Sequence, residues 1–321
     1  MFLAADADNF ASFEVAPWQW AAFIALVAVL LLIDVLFVHR TVHAVSAREA
    51  TIESAVWISI GLLFGLFVLW AYGGQAAGEY YSGYLIEKSL SVDNVFVWAV
   101  ILSYFAVPRE FQFRVLFWGI FGALVLRAIF IFAGVALVES FSWVLYVFGA
   151  FLIYTAWKIT RHDEQEVDPE KSLALRLVRK VVPSTTRYDG QKLFTKVNGR
   201  RMATPLFAVL IMVETTDVVF AVDSIPAILA VSREQFIVFS SNAFAILGLR
   251  SLYFLLADAA DRFRYLNIGL GVILAFVGVK MLLTDVYHVP TPVALGVIVV
   301  TLTVSIWASL RAERRDATLE D

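Results

Sequence analysis

Apolar stretches recur along the whole chain and are separated by shorter polar or charged segments. An α-helix of about 20 apolar residues is long enough to cross the hydrocarbon core of a bilayer. The pattern predicts nine spans, at about residues 18–38, 53–73, 82–104, 114–137, 142–159, 204–230, 236–257, 265–286 and 292–311. We therefore predict an all-α, polytopic helical membrane protein, because a helix satisfies its backbone groups without help from water.

Lysine and arginine concentrate in alternate connections between these spans. Arg40 and Arg48 follow the first span, Arg109 and Arg114 follow the third, and the segment before the first span has neither residue type. Since basic loops stay cytoplasmic, we predict an outer N-terminus and a cytoplasmic C-terminus, in a bacterial inner membrane. The start of the chain also lacks the basic region of a cleaved signal peptide.

Only the connection at residues 160–203 is long. Residues 172–183 place leucine and valine opposite arginine and lysine, which is typical of an amphipathic helix on the membrane surface. Asn198-Gly199 then predicts the turn of a small hairpin. A solvated linker whose charge sets the topology is the alternative, and the sequence leaves the role of the loop open.

Composition narrows the function classes. The chain of 321 residues is 60% hydrophobic and 17% charged, with a formal net charge of −3. This balance does not indicate a nucleic-acid partner. The absence of cysteine excludes disulfides and thiolate metal sites within the chain itself.

An internal repeat places acids in two of the spans. Residues 87–96 read EKSLSVDNVF and residues 217–226 read DVVFAVDSIP, so that an acid is followed six positions later by a second acid. Arg127 aligns with Arg250, and Lys158 aligns with Lys280. The match predicts repeat one at 82–159 and repeat two at 204–286 within a single transporter domain, 1–321. The two copies are inverted in the predicted topology, which is a signature of secondary transporters.

Charged groups at the bilayer centre are costly, at least ~2.5 kcal/mol each on insertion scales, and are candidates for function. The deep bases are Lys88, Arg127 and Arg250, and the deep acids are more numerous: Asp34, Glu87, Asp93, Glu214, Asp217 and Asp223. A divalent cation plus a proton would balance the excess of acid, and protonated acids alone would also balance it. Both repeat arginines are expected to pair with acids, and Asp34 is expected to pair with Lys88. Glu214 is open between cation ligand and hydrogen-bond partner.

The repeated positions supply oxygen ligands that suit hard cations such as Mg²⁺, Ca²⁺ or Mn²⁺. On a regular helix Glu87 and Asp93 lie about 120° apart and ~9 Å apart along the axis. One cation reaches both only if the helix is interrupted, and Pro226 is predicted to break the helix in the second copy. The predicted metal ligands are Glu87, Asp93, Asn94, Asp217, Asp223 and Ser224.

Four stretches carry a resemblance to a known family: GYLIEKSLSVDNVFVW at 83–98, VETTDVVFAVDSIPAI at 213–228, NAFAILGLRSLYFLL at 242–256 and VKMLLTDVYHVP at 279–290. The sequence resembles the TerC family of integral membrane proteins, and within it the Alx-type branch. The six predicted ligands match the acidic motifs of the family residue by residue. The resemblance implies manganese export and also a link to tellurium resistance and alkaline response.

The leading hypothesis is an exporter of divalent cations, with Mn²⁺ as the expected substrate, working by alternating access and exchanging against protons. We expect no enzymatic activity and no resident cofactor; the expected partners are the cation, protons and the lipid bilayer. An intramembrane aspartyl protease is disfavoured because no GxGD sequence occurs. The alternative is a membrane redox modulator, or an alkaline- or tellurium-stress protein, acting through partners. The sequence leaves the cation, the coupling stoichiometry and the oligomeric state open.

Overall fold

The computed structural model describes residues 10–35, 45–141, 143–161, 182–197, 199–256, 265–283, 286–287 and 289–320. A few side chains within these ranges also lie outside the description: Asp93, Arg161, Asp223, and those of 266–267 and 313–320. The helices are α1 (Pro17–Ile33), α2 (Ala47–Tyr104), α3 (Arg109–Ser140), α4 (Val144–Arg161), α5 (Pro205–Leu229), α6 (Gln235–Leu247), α7 (Leu249–Leu256), α8 (Leu266–Leu282) and α9 (Thr291–Glu320). Strands β1 (Phe194–Val197) and β2 (Arg200–Ala203) precede α5.

The described helices have the length and composition of membrane spans. Five helical stretches are long and apolar enough to cross a bilayer: α2, α3, α5, α6 together with α7, and α9 as far as Ala312. Three shorter apolar helices correspond to α1, α4 and most of α8. The prediction of an all-α, polytopic membrane protein is confirmed, and the exact number of crossings stays a prediction.

The second and third predicted spans are the two helical arms of α2, which meet at a sharp turn at Gly73. Gly73 has a φ of +88°, which a residue without a Cβ adopts easily. The hydroxyls of Tyr80 and Tyr81 donate to the carbonyls of Gly61 and Leu62, both at 2.9 Å, so the two halves pack antiparallel. The connection between the predicted spans 53–73 and 82–104 is therefore helical apart from this turn.

Two other interruptions differ from the prediction. The expected break at Pro226 is wrong, because α5 continues through Pro226 to Leu229. A proline removes only its own backbone donor, and membrane helices tolerate that loss. The span predicted at 236–257 is instead divided by Gly248 into α6 and α7.

Helices α4 and α8 cross in close contact through three glycines, Gly149, Gly271 and Gly278. A Cβ on Gly278 would lie 2.7 Å from the carbonyl oxygen of Gly149, and a Cβ on Gly271 would lie 3.3 Å from that of Ala156. Gly149 aligns with Gly271 in the repeat, and Ala156 aligns with Gly278, so the aligned residues exchange partners. A two-fold axis generates this kind of reciprocal contact. The inverted repeat itself remains a prediction.

The hairpin predicted at Asn198-Gly199 is confirmed, since β1 and β2 pair antiparallel and Gly199 has a φ of +75°. Tyr188, just before it, donates to the carbonyl of Phe105 at 2.6 Å and ties the segment to the end of α2. Hydrogen bonds from Thr195 and Lys192 hold the pKa of Asp189 below its usual range. Residues 172–181, most of the amphipathic helix predicted at 172–183, lie outside the described part of the chain.

Candidate functional site

Two repeat acids meet around one buried arginine. Arg127 of α3 forms an ion pair with Glu87 of α2 through Nη1. Its Nη2 donates to Asp217 Oδ1 of α5 at 3.2 Å and its Nε donates to Asp217 Oδ2 at 3.4 Å. All three side chains are at most 2% exposed. The aligned acids of the two predicted repeats therefore share a single guanidinium deep in the protein.

Hydroxyl and amide groups complete this centre. Arg127 Nη1 also donates to Ser224 Oγ at 3.2 Å, about two helical turns beyond Asp217 on α5. Asn242 Nδ2 of α6 donates to Glu87 Oε2 at 3.1 Å, and Ser91 lies one turn along α2 with its hydroxyl 3.4 Å from Glu87 Oε1. Glu87, Asp217 and Ser224, three of the predicted ligands, are thus brought together.

The other three predicted ligands are not among the described contacts of Arg127. Asn94 is buried on α2, and its Oδ1 has no hydrogen-bond donor among the described residues. The side chains of Asp93 and Asp223 lie outside the described part of the structure, although both residues belong to helices. Among the described side chains no group of three or more histidines or acids is arranged to hold a metal ion. The proposed ligand set therefore stays a prediction.

Glu214 lies on the same helix as Asp217, one turn before it. Its carboxylate packs directly against Gly122 of α3, in the space that a side chain at that position would fill. Glu214 Oε2 is buried and has no donor among the described residues. Glu214 thus faces α3 beside the Arg127 centre without being part of the ion pair.

The second repeat arginine has a separate set of partners. Arg250 of α7 donates to Asp34 at 2.5 Å, and its Nη2 lies 3.9 Å from a carboxylate oxygen of Glu53. Its guanidinium also stacks over the ring of Phe113 at 4.0 Å. Both arginines pair with acids, as predicted, but Asp34 pairs with Arg250 and not with Lys88. Lys88 donates to the carbonyl of Ala245 at 3.2 Å.

Sequence reasoning missed two polar residues of the interior. Asn242 opens the NAFAILGLR stretch that carries the family resemblance, but no local pattern showed that it faces Glu87. Glu79 falls between the predicted spans 53–73 and 82–104 and is absent from the predicted deep acids. It is instead buried on α2, where it accepts from the backbone of Ala11 at 2.6 Å and from Ser232 Oγ at 2.7 Å.

Glu79 therefore fastens the N-terminal segment across one end of the helix bundle. Phe13 supports the same contact, since its ring stacks on Tyr72 with centroids 4.1 Å apart. Glu234 lies two residues after Ser232 and immediately before α6. Burial raises the pKa of the Glu234 carboxyl.

We expect Glu79→Ala to lower the thermal unfolding temperature of the purified protein. It leaves the Ala11 amide and the Ser232 hydroxyl without an acceptor, and hydrogen bonds to a charged group contribute about 1.5–3 kcal/mol each. The matched control is Glu110→Ala, because the Glu110 side chain is exposed. Equal unfolding temperatures for the two variants would show that the Glu79 contacts contribute little.

Comparison with known protein families gives a match over most of the chain. Residues 72–317 match the model of the family described as "Integral membrane protein TerC family". The chain belongs to the TerC family. This match covers the Arg127 centre, both predicted repeats and the connecting loop.

Curated relatives extend over nearly the whole length. An uncharacterized membrane protein of Myxococcus xanthus is 50% identical over 94% of this chain and 95% of its own length. A protein of Escherichia coli strain K12, named as membrane-bound redox modulator Alx, is 46% identical over 93% of this chain and 97% of its own. The homologue of the same name from Shigella flexneri is also 46% identical, over 93% and 98%. No solved structure matches the chain.

Proposed function

We propose that this TerC-family protein exports divalent cations, with Mn²⁺ as the substrate, by alternating access and in exchange for protons. One observation carries the proposal: Glu87 and Asp217, at equivalent positions of the two predicted repeats, converge with Ser224 in a buried centre. Secondary transporters bind their substrates near the midplane at such a repeat interface. The family motifs that these residues match support Mn²⁺ as the cargo.

The chemistry of the centre suits a hard cation. Carboxylate oxygens from α2 and α5 and the Ser224 hydroxyl are oxygen types that Mn²⁺, Mg²⁺ and Ca²⁺ bind. Asn94, about two turns beyond Glu87 on α2, would add the amide Oδ1 that has no donor among the described residues. We propose that Asp93 and Asp223 complete the ligand set. A cation entering from the cytoplasm would bind these oxygens, and rocking of one repeat against the other would expose it to the outside. The carboxylates would then take up protons for the return step.

The test is cation flux in liposomes that contain the purified full-length protein. Mn²⁺, Mg²⁺, Ca²⁺ and Zn²⁺ are offered in turn, with and without a pH gradient across the membrane. We expect Mn²⁺ flux that accelerates when the gradient is imposed, and loss of that flux in Glu87→Gln, which keeps the size of the side chain and removes its charge. Folded protein that moves none of the four cations would contradict the proposal.

A second candidate comes from the names of the relatives, which describe a membrane-bound redox modulator. The chain has no cysteine, so a redox role here would place the reacting groups on a partner. The two candidates predict different primary effects of deleting the protein. Deletion of an exporter raises cellular Mn²⁺ first, whereas deletion of a redox modulator changes the thiol state of other envelope proteins at unchanged cellular Mn²⁺.

A further inference from the structure

The Arg127 guanidinium occupies oxygens that we assign to the cation. It contacts one oxygen of Glu87, both oxygens of Asp217 and the hydroxyl of Ser224. Guanidinium and a divalent cation are both positive and use the same carboxylate lone pairs. The two therefore compete for this site, and a cation cannot bind these four oxygens while Arg127 holds them.

From this geometry we infer that Arg127 is a tethered competitor that holds the empty site, and that the transported cation must displace it. The inference rests on the proposed cation transport and deepens it. An arginine side chain keeps its charge throughout, so it cannot vacate the site by losing a proton. The Arg127 side chain must therefore move, and Glu87 and Asp217 then bind the incoming cation.

The structure offers a receiving group for the displaced side chain. Glu214 lies three residues before Asp217 on α5, and its buried Oε2 has no donor among the described residues. It packs against Gly122, five residues before Arg127 on α3. Arg127 already contacts Asp217, one turn from Glu214 on α5, so the guanidinium and the Glu214 carboxylate lie on neighbouring turns of the α3–α5 contact. A guanidinium that leaves Glu87 and Asp217 can re-form an ion pair with Glu214 while remaining buried.

Arg250 provides the internal contrast. It aligns with Arg127 in the repeat, is equally buried, and is also ion-paired, but its partners Asp34 and Glu53 are outside the predicted ligand set. We assign Arg250 a structural role. A variant of Arg250 therefore controls for the loss of a buried, paired guanidinium at a site where no cation is expected.

The test measures Mn²⁺ binding and thermal unfolding of the purified protein in detergent. Arg127→Gln leaves the Glu87 and Asp217 carboxylates without their cationic partner, so without divalent cations this variant should unfold at a lower temperature than the parent. Added Mn²⁺ should restore that temperature, and equilibrium binding of radioactive Mn²⁺ should be about tenfold tighter than in the parent, because no internal competitor reduces the binding-competent fraction. Arg250→Gln should also be destabilised, but without recovery in Mn²⁺. The double variant Arg127→Gln/Asp217→Asn should lose the recovery.

Arg127→Lys keeps the measurement possible if Arg127→Gln does not fold. A lysine retains the charge but lacks the fork that holds Glu87 and Asp217 together, so its Mn²⁺ affinity should lie between those of the parent and Arg127→Gln. Unchanged affinity in both folded variants, with parent protein that transports Mn²⁺ in liposomes, overturns the inference and leaves the proposed function standing. Equal Mn²⁺ recovery in Arg250→Gln also overturns it. If the parent protein neither transports nor binds Mn²⁺, the proposed function itself is wrong.

Discussion

Asp93→Asn and Asp223→Asn are each expected to abolish Mn²⁺ export while the protein still reaches the membrane. Asparagine keeps the size and hydrogen-bonding capacity of aspartate and removes one negative charge. A divalent cation depends on that charge, because its carboxylate ligands must offset both the lost hydration and the low dielectric of the interior. Cells that rely on the protein should then accumulate Mn²⁺ and grow poorly when Mn²⁺ is added.

The measurement is cellular Mn²⁺ under Mn²⁺ stress, normalised to the amount of protein in the membrane. Glu214→Gln is the comparison variant, since Glu214 lies on the same helix as Asp223 and is inferred to receive the displaced Arg127 rather than to bind the cation, so its loss should slow export without abolishing it. If both aspartate variants are present at parental levels and export like the parent, the repeated carboxylates are structural and the proposed function is wrong.

These two aspartates show how far the sequence alone reaches. Their spacing from Glu87 and Asp217, six residues in each copy, is visible in the sequence and places them on α2 and α5. The same reasoning predicted the all-α membrane architecture, because the hydrophobic pattern is set by the thickness of the bilayer. It also predicted the hairpin at Gly199, where a local turn signal was sufficient.

Features that depend on distant contacts could not be predicted in this way. Arg250 and Asp34 are 216 positions apart, and nothing local to either residue indicates that they form a pair. The repeat predicted equivalent roles for Arg127 and Arg250, yet in the structure Glu87 and its repeat equivalent Asp217 both pair with Arg127. Equivalent sequence positions fix only which helices carry the charges, whereas the packing of the other helices decides which charges meet.

The helical stretch directly after Gly73 and the continuous helix at Pro226 were missed for a different reason. Glycine and proline change the local backbone preference by an amount that neighbouring contacts can override. At Gly73 two tyrosine hydroxyls bond across the turn to the preceding half of α2 and hold the halves together. At Pro226 the loss of one donor does not end α5, which reaches Leu229.

Gly278→Leu is expected to prevent accumulation of folded protein, and Gly278→Ala to reduce it several-fold. A Cβ at Gly278 would lie 2.7 Å from the backbone oxygen of Gly149 and 2.9 Å from Cγ1 of Ile153. A backbone carbonyl cannot turn aside as a flexible side chain can, so α4 and α8 must separate, and overpacking of this kind costs about 1–3 kcal/mol or more. The measurement is the yield of monodisperse protein after extraction in detergent.

Gly296 supplies the matched control for this crossing. It also lies in an apolar helix, α9, but a Cβ there would meet no atom within 4 Å. Alanine raises helix propensity at both positions by about 1 kcal/mol, so Gly296→Ala should leave the yield unchanged or improve it. A selective loss at Gly278 would show that the close α4–α8 contact holds the two predicted repeats together. Similar yields for the two alanine variants would mean that these helices can separate freely, and the proposed rocking of one repeat against the other would then need a different contact surface.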